Sequence, residues 1–104
     1  MDRVKQLKQF VAEEPEDPFN YYALALEYLK IDPAESIHIF ESLTLRHPKY
    51  LPTYYPYAHL LIEQKEVAKA EWVFEKGLEM AKDANDSKTF RELKSAFQDW
   101  KFTG

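Results

Sequence analysis

The chain has 104 residues, 45% hydrophobic and 15% aromatic, enough apolar surface for one core of several helices and too little chain for two. A formal net charge of -4, with Lys and Arg scattered among the acids, leaves no basic stripe to displace counterions from a phosphate backbone, so nucleic acid is not an expected partner. The absence of cysteine excludes disulfides, thiolate-held metal and cysteine nucleophiles, and the scarcity of glycine (Gly77 and Gly104) argues against the tight turns of a sheet and for an all-α chain.

The opening segment places Val4, Leu7, Phe10 and Val11 on one helical face behind Asp2, a possible N-cap, and predicts a helix over 3–13. No unbroken apolar run suited to a signal peptide occurs here, and nothing downstream approaches a membrane span; a cytoplasmic location without a membrane partner is expected. Glu13-Glu14-Pro15-Glu16-Asp17-Pro18 then breaks the helix, and its acids read as a linker rather than a catalytic pair.

Asp17-Pro18 and Asp32-Pro33 are the same helix-start signal used twice: aspartate accepts from an orphan amide, and proline occupies the first helical position without losing a bond. They predict helices over 18–30 and 33–47, with Glu35 as a capping-box partner and His47-Pro48 as the stop. Helices over 52–64 and 67–83 follow. Asn85-Asp86 interrupts the pattern, Asp86 or Ser87 is available as a cap, and Phe90, Leu93, Phe97 and Trp100 form the stripe of a last helix over 87–101. This is about five helices, six when both end helices are counted. Pro56 conflicts with a helix that begins at Pro52, so a late start with Thr53 as N-cap, or a distorted first turn, is expected there.

The middle of the chain repeats. Tyr21, Leu24, Ala25 and Tyr28 recur 33 positions later as Tyr54, Tyr57, Ala58 and Leu61, while Ser36, Phe40 and Leu43 recur 34 positions later as Ala70, Phe74 and Gly77. One residue added to the inter-helix turn of the second unit accounts for the difference. A helix–turn–helix unit of this length, aromatic and leucine on the first helix, small and Phe on the second, resembles the tetratricopeptide repeat family. Departures are Leu43 at a usually small position, Tyr57 for a leucine, and Lys82 in place of the closing proline of unit one, Pro48, which permits a longer helix.

The resemblance implies an alpha-alpha superhelix, a right-handed solenoid of antiparallel helix hairpins. The expected organisation is a single domain over 1–104: a capping helix and linker over 1–17, repeats over 18–50 and 51–84, and a second capping helix over 85–104. Two repeats are fewer than the three usually needed for stability, so the end helices are expected to lay Val4, Leu7, Phe10 and Val11 on the first repeat and Phe90, Leu93, Phe97 and Trp100 on the second.

The 18–30 helix also carries a second apolar stripe, Phe19, Tyr22, Leu26 and Leu29. In the family this face lines a concave protein-binding groove, and its counterparts in the second unit are Pro52, Tyr55, His59 and Ile62, with Lys30 and Glu63 at the edge. The resemblance thus implies a non-enzymatic protein-interaction module whose groove, aromatic and nearly uncharged, takes an apolar peptide or an amphipathic helix. A lysine- and asparagine-lined carboxylate clamp is not expected, because the relevant positions read Tyr22, Leu26, Pro56 and His59. Burial of the same stripe in a homodimer is the competing reading, and cover by the first helix or a tail of the same chain is the third. His59 and Glu63 are four apart but the other histidines lie on a different helix, so no metal site is expected; no phosphate loop or nucleophile motif occurs, so no cofactor or catalysis is expected either. Trp72 and Trp100 are expected to pack.

Overall fold

In the computed structural model, which describes residues 2–103, the chain forms six α-helices and no strand among those residues: α1 (Arg3–Glu13), α2 (Pro18–Tyr28), α3 (Pro33–Arg46), α4 (Tyr54–Glu63), α5 (Val67–Asp83) and α6 (Ser87–Thr103), with a 3-10 turn at Leu51–Thr53. Six is the count that includes both end helices; five leaves one of them out. The helices fall into two compact units, Met1–Thr53 and Tyr54–Gly104.

In the first unit α2 and α3 form a hairpin and α1 packs on α2. Each helix opens on the aspartate expected of it. Asp2 accepts from the Val4 amide (3.0 Å), Asp17 from Phe19 (3.0 Å) and Asp32 from Glu35 (3.2 Å), satisfying donors that no helical carbonyl reaches. The reciprocal half of the capping box is not made. The Asp32 amide is already bound to the Tyr28 carbonyl (2.8 Å), and the Glu35 carboxylate lies 3.9 Å from His38 instead. α2 ends at Tyr28, two residues short of the expected 30, and α3 at Arg46, with His47 as its C-cap before Pro48. Near the end of α2 the Leu29 amide turns to Leu26 (3.3 Å), and the Ala25 carbonyl accepts from the buried Ser36 hydroxyl of α3 at 2.7 Å. Serine at that position, where the second unit has Ala70, therefore ties the two helices together where α2 frays.

Ala25, Phe40 and Leu43 fill this core, and Leu7 of α1 is buried while Val4 and Val11 are half-buried and Phe10 stays 38% exposed. Burial of each such large side chain contributes about 1.5–3 kcal/mol before entropy.

The second unit has the same hairpin, α4 with α5, and α6 packs on α5. α4 begins at Tyr54 rather than 52, so Pro56 is its third residue, where a missing amide hydrogen forfeits no helical bond. The late start follows the expectation; the cap does not. Thr53 Oγ1 is buried without a hydrogen-bond partner among the described residues: Pro56 removes one of the two amides that could donate to it, and the other, that of Tyr55, does not bond it.

The extra residue of the second inter-helix turn has a specific role. α4 closes in a Schellman motif, with the Glu66 amide on the Leu61 carbonyl (2.9 Å), the Lys65 amide on Ile62 (3.0 Å), and Lys65 left-handed at φ 62. α5 closes the same way: Asp86 on Ala81 (2.9 Å), Asn85 on Lys82 (3.0 Å), Asn85 at φ 57. Asp86 then caps α6, taking the Thr89 amide (3.0 Å) and hydroxyl (2.8 Å), and these bonds hold its carboxyl below the usual aspartate value. Lysine is a poor residue for a left-handed position, so Lys65→Gly is expected to stabilise the protein by about 1 kcal/mol, read as a higher urea midpoint at unchanged slope.

Tyr54, Tyr57, Ala58, Leu61, Ala70, Val73 and Phe74 are all buried. Trp72 corrects the expectation that both tryptophans pack: it lies on the side of α5 away from Ala70, Val73 and Phe74 and is 50% exposed, whereas Trp100 packs beside Phe74 with ring centroids 5.9 Å apart. α5 and α6 run to 17 residues each, α6 two residues beyond the expected end, and the replacement of the closing proline by Lys82 removes the stop.

Desolvation, and then the charge of Glu79, push the Tyr54 phenol up to about 12. The group therefore stays neutral in the folded chain over a range in which the unfolded chain ionises it, and its contribution to stability is complete below about pH 10 and lost as pH rises through about 12. In an ultraviolet alkaline titration of the 7 tyrosines the latest step, coincident with unfolding, is expected to lose amplitude in Tyr54→Phe.

Candidate protein-binding surface

Side chains that point away from each hairpin are where partner contact has to be sought. On α2 the predicted stripe is accessible in graded fashion. Phe19 is 57% exposed, Leu26 and Leu29 are half-buried, and Tyr22 is half-buried with its ring edge-on to Tyr50 at 5.8 Å and 67°. Leu29 is the C-cap of α2 rather than a residue within it. Burial raises the Tyr50 phenol pKa, with the Tyr22 and Asp17 groups adding to the shift.

On α4, Tyr55 is 46% exposed and its ring meets His59 at 4.5 Å; His59 is exposed and turns its own ring edge toward Phe74 at 6.5 Å. Ile62 is half-buried one turn further on, and Pro52, the remaining counterpart, is exposed in the 3-10 turn. The structure thus brings Phe19, Tyr22, Leu26 and Leu29 onto one unit's outer helix face, and Tyr55, His59 and Ile62 onto the other's. No cluster of three or more potential metal ligands occurs among the described residues.

A cleft of ≈ 600 Å³ in the second unit is lined by Tyr55 on one side and by Arg91, Glu92, Ser95, Ala96 and Asp99 of α6 on the other. Of the predicted groove residues of this unit, Tyr55 alone lines this cleft, and the α6 wall opposite it carries charge. α6 was expected to act only as a cap, and its second face was missed. The signal was present: Phe90, Leu93 and Phe97 repeat Tyr54, Tyr57 and Leu61 at a spacing of 36, which makes Arg91 the counterpart of Tyr55 and Ser95 the counterpart of His59. α6 therefore behaves as the first helix of a further repeat, capping with one face and presenting a charged outer face with the other.

That capping face is well packed. Phe97 stacks on Phe74 at 4.9 Å and 13°, Trp100 lies 6.2 Å from Phe97, and Leu93 is buried. Lys101 lies over the Phe97 ring at 5.3 Å and pairs with Glu71 of α5 at 2.6 Å, and that hydrogen bond holds its ammonium above the usual lysine value. No helix among the described residues is long and apolar enough to cross a membrane.

No protein-family model matches the sequence, and no curated protein is significantly similar to it. Solved structures are. A tetratricopeptide repeat domain protein from Salinibacter ruber, determined by solution NMR, is 33% identical, with 88% of this chain and 93% of that one covered at a TM-score of 0.81. A crystal structure of the tetratricopeptide repeat domain protein from the same organism is 31% identical over 85% of this chain and 99% of that one, at 0.77. The TPR2B domain of yeast Sti1, solved in a complex with pHsp70, shares the fold at 22% identity and a TM-score of 0.82, covering 91% and 77% of the two chains. With its hairpin used twice, its small residues Ala25, Ser36, Ala58, Ala70 and Gly77 buried at the repeat positions, and a relative 33% identical that is covered almost end to end, this chain belongs to the tetratricopeptide repeat family.

Proposed function

We propose that the chain is a non-enzymatic interaction module, an adaptor that binds an apolar peptide or amphipathic helix of another protein on the outer faces of α2 and α4. The partner would be held by Phe19, Tyr22, Leu26 and Leu29 on one unit and by Tyr55, His59 and Ile62 on the other. One observation carries this reading: Phe19 and Tyr55 expose 57% and 46% of their surface at the matching outer faces of the two repeats, and each continues at helical spacing into further accessible residues of the same stripe, Tyr22 and Leu26 on α2, His59 and Ile62 on α4. Aromatic rings there give a partner large contact area at low entropy cost. On the α6 side, Arg91, Glu92 and Asp99 add charged contacts, so the bound segment carries polar residues beside its apolar ones. Structures of this fold do hold other proteins, as the Sti1 domain does with pHsp70. We further read 1–104 as one cooperative domain acting in the cytoplasm.

The test uses a peptide selected against the purified protein from a display library. The double variant Phe19→Ala, Tyr55→Ala is expected to weaken its binding roughly tenfold or more, while the melting temperature changes by no more than about 2 °C, as for two exposed positions. A loss of several degrees would place these rings in the core. The competing reading, a homodimer that buries the same stripe, predicts a concentration-dependent mass in sedimentation equilibrium that the double variant abolishes.

A further inference from the structure

At the end of the first unit's hairpin where α2 begins and α3 finishes, a cleft of ≈ 460 Å³ is lined by Pro18, Arg46, His47, Pro48, Lys49 and Tyr50. We propose that it receives a phosphorylated side chain of a partner peptide, with Arg46 and Lys49 supplying charge and His47 and Tyr50 completing the hydrogen bonds. Arg46 is the last residue of α3, His47 its C-cap, and Lys49 follows in the turn that the Tyr50 amide closes on the His47 carbonyl at 3.0 Å. Two prolines fix the backbone on either side, so little ordering is needed when an anion arrives.

Two observations favour an anion. Neither the Arg46 guanidinium nor the Lys49 ammonium makes a hydrogen bond or ion pair with a described residue. In a chain with 18 acids, no Asp or Glu occurs between Glu41 and Glu63. The Asp17 carboxylate, held by the Phe19 amide at 3.0 Å, keeps its charge and is felt at Tyr50, so Arg46 and Lys49 have to outweigh it. Cations in the last helical turn ordinarily offset the carbonyl end of the helix dipole, but Lys49 lies beyond that turn and neither Arg46 nor His47 bonds a carbonyl of it through its side chain. A guanidinium, an ammonium, an imidazole and a phenol around one cleft suit the three oxygens and nearly double charge of a phosphoryl group better than a single carboxylate. The Tyr50 ring rests against Tyr22, so a peptide lying on Phe19 and Tyr22 reaches the cleft without a break, although the anion site stands without that peptide.

The experiment is an NMR titration of the isotope-labelled chain at constant ionic strength with inorganic phosphate, then with a phosphoserine peptide carrying apolar flanks, its serine twin and its glutamate twin. Saturable shifts of the His47, Lys49 and Tyr50 amides are expected with phosphate and not with chloride. The phosphoserine peptide should bind at least tenfold tighter than inorganic phosphate and than either twin. Arg46→Gln with Lys49→Gln should reduce phosphate binding at least tenfold, the control pair Lys88→Gln with Lys94→Gln should not, and circular dichroism should show both variants folded. The Phe19→Ala, Tyr55→Ala variant should keep its response to inorganic phosphate, which separates this site from the apolar faces. Equal shifts with chloride, unchanged binding by the Arg46 and Lys49 variant, or free phosphate or the glutamate twin binding as tightly as the phosphopeptide would each overturn the proposal.

Discussion

Replacing Phe74 with alanine is expected to destabilise the protein by about 3–5 kcal/mol, the range for an aromatic removed from a closed core. The ring is fully buried and forms the floor on which α6 rests: Phe97 lies nearly parallel to it at 4.9 Å, Trp100 at 5.9 Å, and His59 meets it edge-on at 6.5 Å. A void there takes contacts from α4, α5 and α6 together. In a chain this small, one kcal/mol corresponds to about 4–8 °C, so the midpoint should fall on the order of 15 °C or more. Trp100 reports the mechanism. With Trp72 replaced by phenylalanine, its emission should shift to the red in Phe74→Ala under native conditions as the α6 stack loosens. The same melt tests the one-domain reading: the helical signal should disappear in a single transition at the lower temperature, whereas a first unit that melted at its original temperature would make the two units independent. A loss below about 1 kcal/mol would mean that the stack is not what holds α6.

What the sequence makes legible here is whatever local chemistry decides. Asp-Pro pairs start helices because the side chain satisfies an orphan amide and the proline loses nothing, and both pairs do so here. The 33- and 34-residue repeat locates the hairpins because equal packing problems receive equal residues, down to the burial of Phe40 and Phe74. What stays hidden depends on geometry in three dimensions. Ser36 reads as a merely small residue until the Ala25 carbonyl is found 2.7 Å away. Thr53 reads as a cap until its hydroxyl is found buried with no partner. The inserted residue reads as slack until Lys65 proves to be the left-handed closure of α4. The outer face of α6 was missed for a different reason: a helix assigned to cover an end was credited with one face, although the spacing of Phe90, Leu93 and Phe97 already marked it as a repeat helix with two.

Gly77→Ala brings two effects of opposite sign together, and the expected result is a net destabilisation of about 1–3 kcal/mol. Helix propensity favours alanine by about 1 kcal/mol in the middle of a helix such as α5. Against this, a Cβ on Gly77 would lie 2.8 Å from the Cβ of Tyr54, 2.9 Å from its Cγ, and 2.9 Å from Cδ1 of Leu93. Leu93 presents the far end of a side chain and is able to rotate away. The Tyr54 Cβ is one bond from the backbone of α4, so relief requires α4 and α5 to separate, which a close-packed interior resists. The first unit illustrates the alternative: Leu43 occupies the equivalent position, and Tyr21, the counterpart of the fully buried Tyr54, is only half-buried. A large residue on the second helix goes with a displaced ring on the first, and glycine is what lets Tyr54 sink to full burial. The mechanism fixes a second outcome. Leu93→Ala removes the 2.9 Å contact with Leu93 only, so in the double variant it should recover part of the Gly77→Ala loss and leave the part that lies at Tyr54. Urea denaturation of the two single variants and the double variant decides the matter: a stabilised Gly77→Ala, or a coupling that cancels its whole loss in the double variant, would show that α4 and α5 are not in the close contact that buries Tyr54.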